Sequence, residues 1–491
     1  MQWEPVIGLE VHVELKTASK MFCSCPVVDV ITAPPNSAIC PVCLGMPGSL
    51  PVINRHAVEL AVRAALALDC RINPISIFAR KNYFYPDLPK GYQISQYEYP
   101  LAENGDILIH TSSGEKHIRI RRAHLEEDTG KLTHVIREED ACSLVDLNRA
   151  GVPLLEIVTE PDMRSVEEAK AYATTLHALL RYIGVSTCDM EKGAIRFEAN
   201  VSIRQLGTVV FNTRTEIKNL NSFRAMEKAI EFEIQRQIAV VEGGGEVRQE
   251  TVGWNDLIGE TFSQRGKEEA HDYRYFPEPD LPPLKVDAAW TEQIRAVMPE
   301  LPRNKQERFE SQYGLGGYDA QILVAQPQLA DFFEAVLSVD SAIPPKSLAN
   351  WITGPILGWM NNHPDDSMAF PLAPSHLAGL VKATLAETIN LNTARLVLEE
   401  MLASGRSAED IIREKGLTQI DDRSSLRRMI AETLAEHPRE IESYLAGKET
   451  LANWFFGQLM RKTRGQASPA IAQSLLAEAL QQLKETNKSS D

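Results

Sequence analysis

Four cysteines near the start of the chain form two close pairs, Cys23-Ser24-Cys25 and Cys40-Pro41-Val42-Cys43, separated by fourteen residues. Thiolates this close in sequence can converge on one tetrahedral ion, and zinc takes four such ligands without redox chemistry. Two pairs of free thiols are the plainer alternative, since only the second pair has the usual knuckle spacing. Ahead of them, Val6 to Leu15 alternates: Leu9, Val11, Val13 and Leu15 share one strand face, and Glu10, His12 and Glu14 share the other. Side chains two positions apart on a strand are separated by about 6.7 Å, close enough for two of them to hold one hard cation or its water shell. Taken alone, a solvated strand face explains this segment too.

Three further segments repeat the pattern. His117 to Ala123 places Arg119 and Arg121 together and runs into His124-Leu125-Glu126-Glu127-Asp128. Arg196 to Arg204 puts Arg196, Glu198, Asn200, Ser202 and Arg204 on one face, and Thr213 to Lys218 adds Arg214, Glu216 and Lys218. Phosphoryl transfer needs both kinds of group, carboxylates for magnesium and Arg or Lys for phosphate oxygens. A sheet lined this way is a natural metal-nucleotide surface. The Arg80 to Gln96 stretch interleaves Tyr83, Phe84 and Tyr85 with Lys81, Lys90, Gln93, Ser95 and Gln96. That composition suits stacking and hydrogen-bonding of a nucleotide or an RNA end, although a rigid loop whose tyrosines cover a core would look the same.

The elements that must position these residues follow from periodicity. Short alternating strands dominate to about residue 290, helices follow, and the Pro-rich stretch Pro277 to Pro283 lies near the change. Ser165-Val166-Glu167-Glu168 is a capping box leading into Tyr172, Leu176, Leu179 and Ile183 at helical spacing, stopped by Gly184. A second helix starts near Ser222 and ends before Gly243-Gly244-Gly245, which lacks a following Gly-Lys-Ser/Thr and reads as a turn. Ser113-Gly114-Glu115-Lys116 likewise reads as a polar turn between strands. The Lys484 to Asp491 tail is polar and is expected to fray.

At 491 residues the chain exceeds a single core, and several domains are expected. No apolar run nears the roughly 18 to 20 residues of a membrane span, and Met1-Gln2-Trp3-Glu4-Pro5 has neither a secretory nor a transit layout. A cytoplasmic location without membrane association is the expectation. Seven cysteines suggest no disulfide framework. A formal charge of -16 disfavours nonspecific adhesion to polyanions, yet it leaves room for a folded RNA partner held by local basic patches.

Together these segments resemble the B-subunit family of the tRNA-dependent aspartyl/glutamyl amidotransferases (GatB). The match covers essentially the whole chain and rests on Ile7 to Leu15, Arg80 to Gln96, His124 to Asp128, Asn148 to Leu154, Glu216 to Phe223 and His271 to Pro277. The segment Asn453 to Gly457 through Gly465-Gln466-Ala467 looks like the family's tail module. The resemblance implies an α+β chain. A cradle domain on an antiparallel sheet, similar to glutamine synthetase and guanidino kinases, would span 1–290 and carry the zinc knuckles. An all-α helical domain over 291–406 and a small α-helical, tRNA-docking tail module over 407–491 would follow.

It also implies chemistry. ATP phosphorylates the side-chain carboxylate of misacylated Glu-tRNA(Gln) or Asp-tRNA(Asn), and ammonia from a separate amidase (A) subunit displaces the phosphate, with a small C subunit completing a heterotrimer. Carried over by position, Glu10, His12 and Glu126 look like the magnesium-nucleotide centre, with Glu127 and Asp128 as nearby catalytic candidates. Lys81, Tyr83, Lys90, Gln93, Ser95, Gln96, Arg149, Glu198, Asn200 and Lys218 look like ATP or tRNA-end contacts. Cys23, Cys25, Cys40 and Cys43 look like ligands of a structural zinc, since relatives can lack them. Where relatives usually carry Cys-Asp this chain has Phe197-Glu198, which keeps a carboxylate and lengthens its reach. Arg461, Lys462 and Arg464 are basic against an acidic background, which suits tRNA docking as well as plain solubility. Two other readings stand beside this one: a stand-alone carboxylate-amine ligase acting on a free small substrate, and a noncatalytic zinc-bearing RNA-binding scaffold.

Overall fold

Because every second residue of its first strand is apolar, that strand can bury one face completely. In the computed structural model, which describes residues 2–137, 140–266, 273–363, 372–417, 422–463 and 466–488, Ile7, Leu9, Val11, Val13 and Leu15 are buried while Glu10, His12 and Glu14 stay on the open side. The strands are β1 (Trp3–Glu14), β2 (Arg71–Ile72), β3 (Ile75–Ser76), β4 (Ala79–Asn82), β5 (Tyr92–Ser95), β6 (Ala102–Thr111), β7 (Gly114–Glu127) and β8 (Lys131–Arg137), then β9 (Asp140–Asp146), β10 (Pro153–Thr159), β11 (Ile195–Gln205), β12 (Thr215–Leu220), β13 (Glu250–Asn255), β14 (Glu260–Gly266), β15 (Phe276–Pro277) and β16 (Leu284–Lys285). Nine of them form one sheet in the order β14-β13-β12-β11-β1-β10-β7-β6-β2. All its pairings are antiparallel except β12 with β13. The chain is therefore α+β with an antiparallel-dominated sheet.

Three helices cover one face of that sheet: α1 (Arg55–Ala67), α2 (Val166–Tyr182) and α3 (Phe223–Glu242). Ser165 caps α2 by accepting from the Glu168 amide at 3.1 Å, while the Glu168 carboxylate reaches back to the Arg164 amide at 2.6 Å. This satisfies one of the helix's orphan donors and the amide just before the cap. Ser222 caps α3 in the same way, and Gly243 ends it. Tyr172, Leu176 and Leu180 of α2 are fully buried against the sheet, and each of the two leucines stabilises the packing by about 1.5 to 3 kcal/mol. With one face sealed by helices, the polar residues of the strands have only the other face to occupy.

These elements belong to a compact unit over Met1–Leu301 with a single hydrophobic core. The second unit, Pro302–Asp491, is helical and holds two separate apolar clusters, one running from Phe309 to Ile412 and one from Leu426 to Leu480. Its last helix, Pro469–Lys488, extends into the tail expected to fray, because Lys484 bonds Glu449 at 2.8 Å and lies over the Tyr444 ring. Among the described residues no single helix is long and apolar enough to cross a membrane. His271, Asp272, Arg464 and Gly465 lie outside the described residues.

Candidate active site

The open face of the sheet carries an acid-rich cavity of about 400 Å³. Strand register explains how it assembles. Glu10 lies opposite Glu198 and His12 opposite Arg196 across β1 and β11, while His12 faces Glu156 across β1 and β10, and Glu156 faces His124 on β7. On the far side Asn200 lies opposite Glu216 of β12. Neighbouring strands thus stack their polar alternate positions into rows, and six carboxylates and five Lys or Arg side chains line the resulting space.

A one-residue irregularity decides which half of the Glu126-Glu127 pair enters it. Val158 faces Arg122 while Thr159 faces Ile120, so Arg121 is an extra residue on β7. Such a bulge flips the alternation that follows it. Arg119 and Arg121, before the flip, form exposed ion pairs with Asp162 at 2.6 Å and Glu160 at 2.9 Å. Beyond it Arg122, His124 and Glu126 face the cavity. Glu127 turns away, accepting from the Ile94 amide at 3.0 Å and pairing with Lys90.

Of the residues expected from sequence, Glu10, His12, Glu126, Asp128, Lys81, Tyr83, Gln93, Ser95, Gln96, Glu198 and Lys218 line the cavity. The structure does not bring Glu127, Lys90, Arg149 or Asn200 into the lining. Asn200 donates to Glu10 at 2.9 Å, and Arg149 ties down the turn after β7 through the Thr129 and Gly130 carbonyls at 3.0 and 2.7 Å. Gln96 is spent on structure, its carbonyl accepting from the Leu101 and Leu125 amides and its amide donating to Ser76 Oγ at 2.6 Å. Residues that sequence reasoning passed over include Glu156, His124 and Arg122, together with Tyr97, Tyr273 and Tyr275. A signal for Glu156 was present, because it is the one charge within the apolar strand Leu154-Leu155-Glu156-Ile157-Val158.

The acids form two groups whose ligand atoms lie within 4.8 Å of one another, His12 with Glu126 and Glu156, and Glu10 with Glu198 and Glu216. His12 Nδ1 lies 3.2 Å from Glu126 and its Nε2 3.8 Å from Glu198. Ser95 donates to the other Glu126 oxygen at 3.3 Å. Burial opposes a charged His12, but the bond to Glu126 and the fields of Glu156 and Glu198 outweigh it and hold the pKa at about 9. Burial and then the carboxylates of Glu156, Glu198 and Glu216 push Glu10 up. Glu198 is held low in spite of burial, because Lys218 lies 2.7 Å away. Asp128 is likewise held low against burial by Arg196 and Arg149, the former at 2.8 Å. These crowded, unequal carboxylates are what a site must offer divalent cations and phosphate in alternation.

A cation held at His12 has to displace its proton, so binding there strengthens as pH rises. Without metal, the raised pKa means that His12 contributes stability fully present below pH 6.5 and lost as pH rises through about 9. An NMR titration of the metal-free protein is expected to place His12 near 9. An ordinary value near 6.5 would remove the proposed carboxylate cage.

Beside the cavity, the sulfurs of Cys23, Cys25, Cys40 and Cys43 all lie within 4.8 Å of one another. Tetrahedral zinc at about 2.3 Å from each sulfur needs separations of about 3.8 Å, so the set fits that ion after a small contraction. Cys43 is held low as a thiolate by the Cys23 thiol, and further by the Cys40 amide and the Lys20 ammonium; Lys20 Nζ lies 3.8 Å from its sulfur. At Gly45, φ is +66° and an added Cβ would stand 2.4 Å from Lys90 Cγ. The knuckle therefore packs on the lysine that grips Glu127.

A cavity lined in this way offers the carboxylates and basic side chains that phosphate-transfer sites use. A family model described as the GatB/GatE catalytic domain matches residues 5–292, and one described as the GatB domain matches 331–480. The chain is 50% identical over 480 residues to the B subunit of the aspartyl/glutamyl-tRNA(Asn/Gln) amidotransferase from Moorella thermoacetica, covering 98% of this chain and 100% of that protein. It is 49% identical over 480 residues to the protein of the same name from Persephonella marina, with the same shares covered. The chain belongs to the GatB/GatE family.

Proposed function

We infer that this chain is the activating subunit of a glutamine-dependent tRNA amidotransferase. It converts Glu-tRNA(Gln), Asp-tRNA(Asn) or both to the amidated forms. The observation that carries this is the cavity itself, in which two acidic groups face Lys81, a cation with no carboxylate partner among the described residues. The side-chain carboxylate of the charged tRNA attacks the γ-phosphorus of ATP, the bond to the ADP oxygen breaks, and ammonia then expels phosphate from the acyl carbon. Lys81, above the Tyr273 ring at 4.9 Å, and Arg122, above Tyr97 at 5.7 Å, are placed to take anionic oxygens. Ser95 fixes Glu126, and Asn200 fixes Glu10.

His12 and Glu126 with Glu156, and Glu10 with Glu198 and Glu216, are the residues that would hold magnesium. Magnesium, when bound, would offset the crowded phosphate charge. The cysteine quartet would hold zinc as a clamp on the loop after β1. Glu127 and Lys90 belong to that clamp's contact with β7. The sheet with its helix-backed face supports a cradle like that of glutamine synthetase and guanidino kinases. The three apolar clusters support three parts like the expected 1–290, 291–406 and 407–491, with Ile294 packing in the first cluster and Ala408, Ile411 and Ile412 in the second. An amidase subunit and a small third subunit would complete a cytoplasmic heterotrimer, since ammonia has to come from elsewhere.

Reconstitution with those partners tests the reading. Glutamine, ATP and each misacylated tRNA are supplied, and amidated tRNA is expected from at least one of them. Steady ATP cleavage that ignores tRNA and follows a free amino acid would support the stand-alone ligase instead.

A further inference from the structure

A second cavity, of about 290 Å³, adjoins the acidic one and shares Arg196 with it. Its lining has the opposite character. Lys131, Arg149, Lys192 and Arg196 enter it from three separate segments, against the single carboxylate of Glu191. Arg149 and Arg196 share one counterion, Asp128, at 3.6 and 2.8 Å. Lys131 pairs with no carboxylate among the described residues, and Lys192 reaches outward to Asp29 at 2.6 Å. Val30, Ile31 and Met190 supply an apolar side, and Ile31 is 62% exposed. In a chain of formal charge -16, such a concentration of positive charge focuses anions.

We infer that this groove holds the sugar-phosphate backbone of the RNA strand that carries the aminoacyl group. The inference rests on the reading of the acidic cavity as the amidation site. Cations in separate segments suit successive phosphates better than one compact anion, and the apolar side suits a base or ribose face. A strand lying here has its end at the shared wall, where Arg196 separates the groove from the carboxylates.

The test uses the assembled complex with Lys131→Ala and Lys192→Ala combined, and Asp29→Asn separately. Both lysines sit at the surface, so the fold should persist. The double variant is expected to weaken binding of uncharged tRNA, lower the slope of log affinity against log salt by about 1 to 2, and raise KM for charged tRNA while kcat at saturation holds. Asp29→Asn breaks the bridge and keeps the cation, so RNA affinity should hold or rise. An unchanged salt slope overturns the inference, as does a rise confined to KM for ATP, which would make the groove a nucleotide site. Loss of RNA affinity in Asp29→Asn equal to that in the double variant also overturns it, because the bridge and not the charge would then matter. Failure of the amidation reading looks different, since the unmodified complex would then show no tRNA-stimulated ATP cleavage.

Discussion

Replacing Glu126 by alanine is expected to lower tRNA-dependent ATP cleavage about 1,000-fold, the scale for losing one preorganised charge from a reaction site. The fold should tolerate the change. Glu126 stands in a cluster with Glu156 and His12, and among the described residues its other side-chain partner is Ser95. Removing one carboxylate from a crowded set relieves repulsion while it costs two hydrogen bonds, so the melting temperature should move by no more than about 3 °C. A second readout separates chemistry from structure. His12 loses the bond that does most to raise its pKa, so its titration should fall from about 9 toward the usual range. Full activity in this variant would dismiss the site assignment. A large drop in melting temperature with kcat retained would make Glu126 structural.

Replacing Cys43 by serine should act in the opposite sense, on stability and not on nucleotide affinity. The purified protein is expected to carry one equivalent of zinc and the variant none. The loss should cost about 2 to 5 kcal/mol, the range for removing a native covalent cross-link, and so lower the melting temperature by roughly 5 to 10 °C. ATP affinity should hold, because the quartet touches the cavity only through indirect contacts. Lys20, beside Cys43, also bonds the Leu147 carbonyl at 3.2 Å. Gly45 packs on Lys90, which pairs with Glu127, the neighbour of Glu126. Absence of zinc from the purified protein would reject the clamp, and loss of ATP binding on chelation would turn it into part of the active site.

The sequence carried the strand faces clearly, because alternation of apolar and charged residues in β1, β11 and β12 leaves one solution once helices seal the other face. The capped start of α2 was legible because it is a local hydrogen-bond pattern, and the start of α3 near Ser222 followed from helical spacing. The convergence of the four cysteines was legible because they lie close along the chain, and the structure brings their sulfurs within 4.8 Å of one another. What was not legible depends on pairing partners. Nothing in Arg119-Ile120-Arg121-Arg122 marks the bulge, since no glycine or proline is there, and without it the alternation would have brought Glu127 into the cavity. Arg149 reads by type as a phosphate ligand of the acidic cavity, yet it lies outside that lining, its guanidinium drawn aside by two carbonyls that become neighbours only when the turn after β7 closes. Glu156 showed in the sequence only as a lone charge in an apolar run, and its register against His12 is what gives it a role.

In the proposed central step, this cavity would join the substrate's side-chain carboxylate to phosphorus before nitrogen arrives. The most direct measurement charges tRNA with glutamate or aspartate labelled with oxygen-18 in the side-chain carboxylate, runs one amidation in the reconstituted complex, and weighs the inorganic phosphate released. One labelled oxygen in each phosphate is the predicted result, because the acyl carbon–oxygen bond is the one that ammonia breaks. Amidated tRNA accompanied by unlabelled phosphate would mean that the carboxylate was never phosphorylated, and would contradict the account.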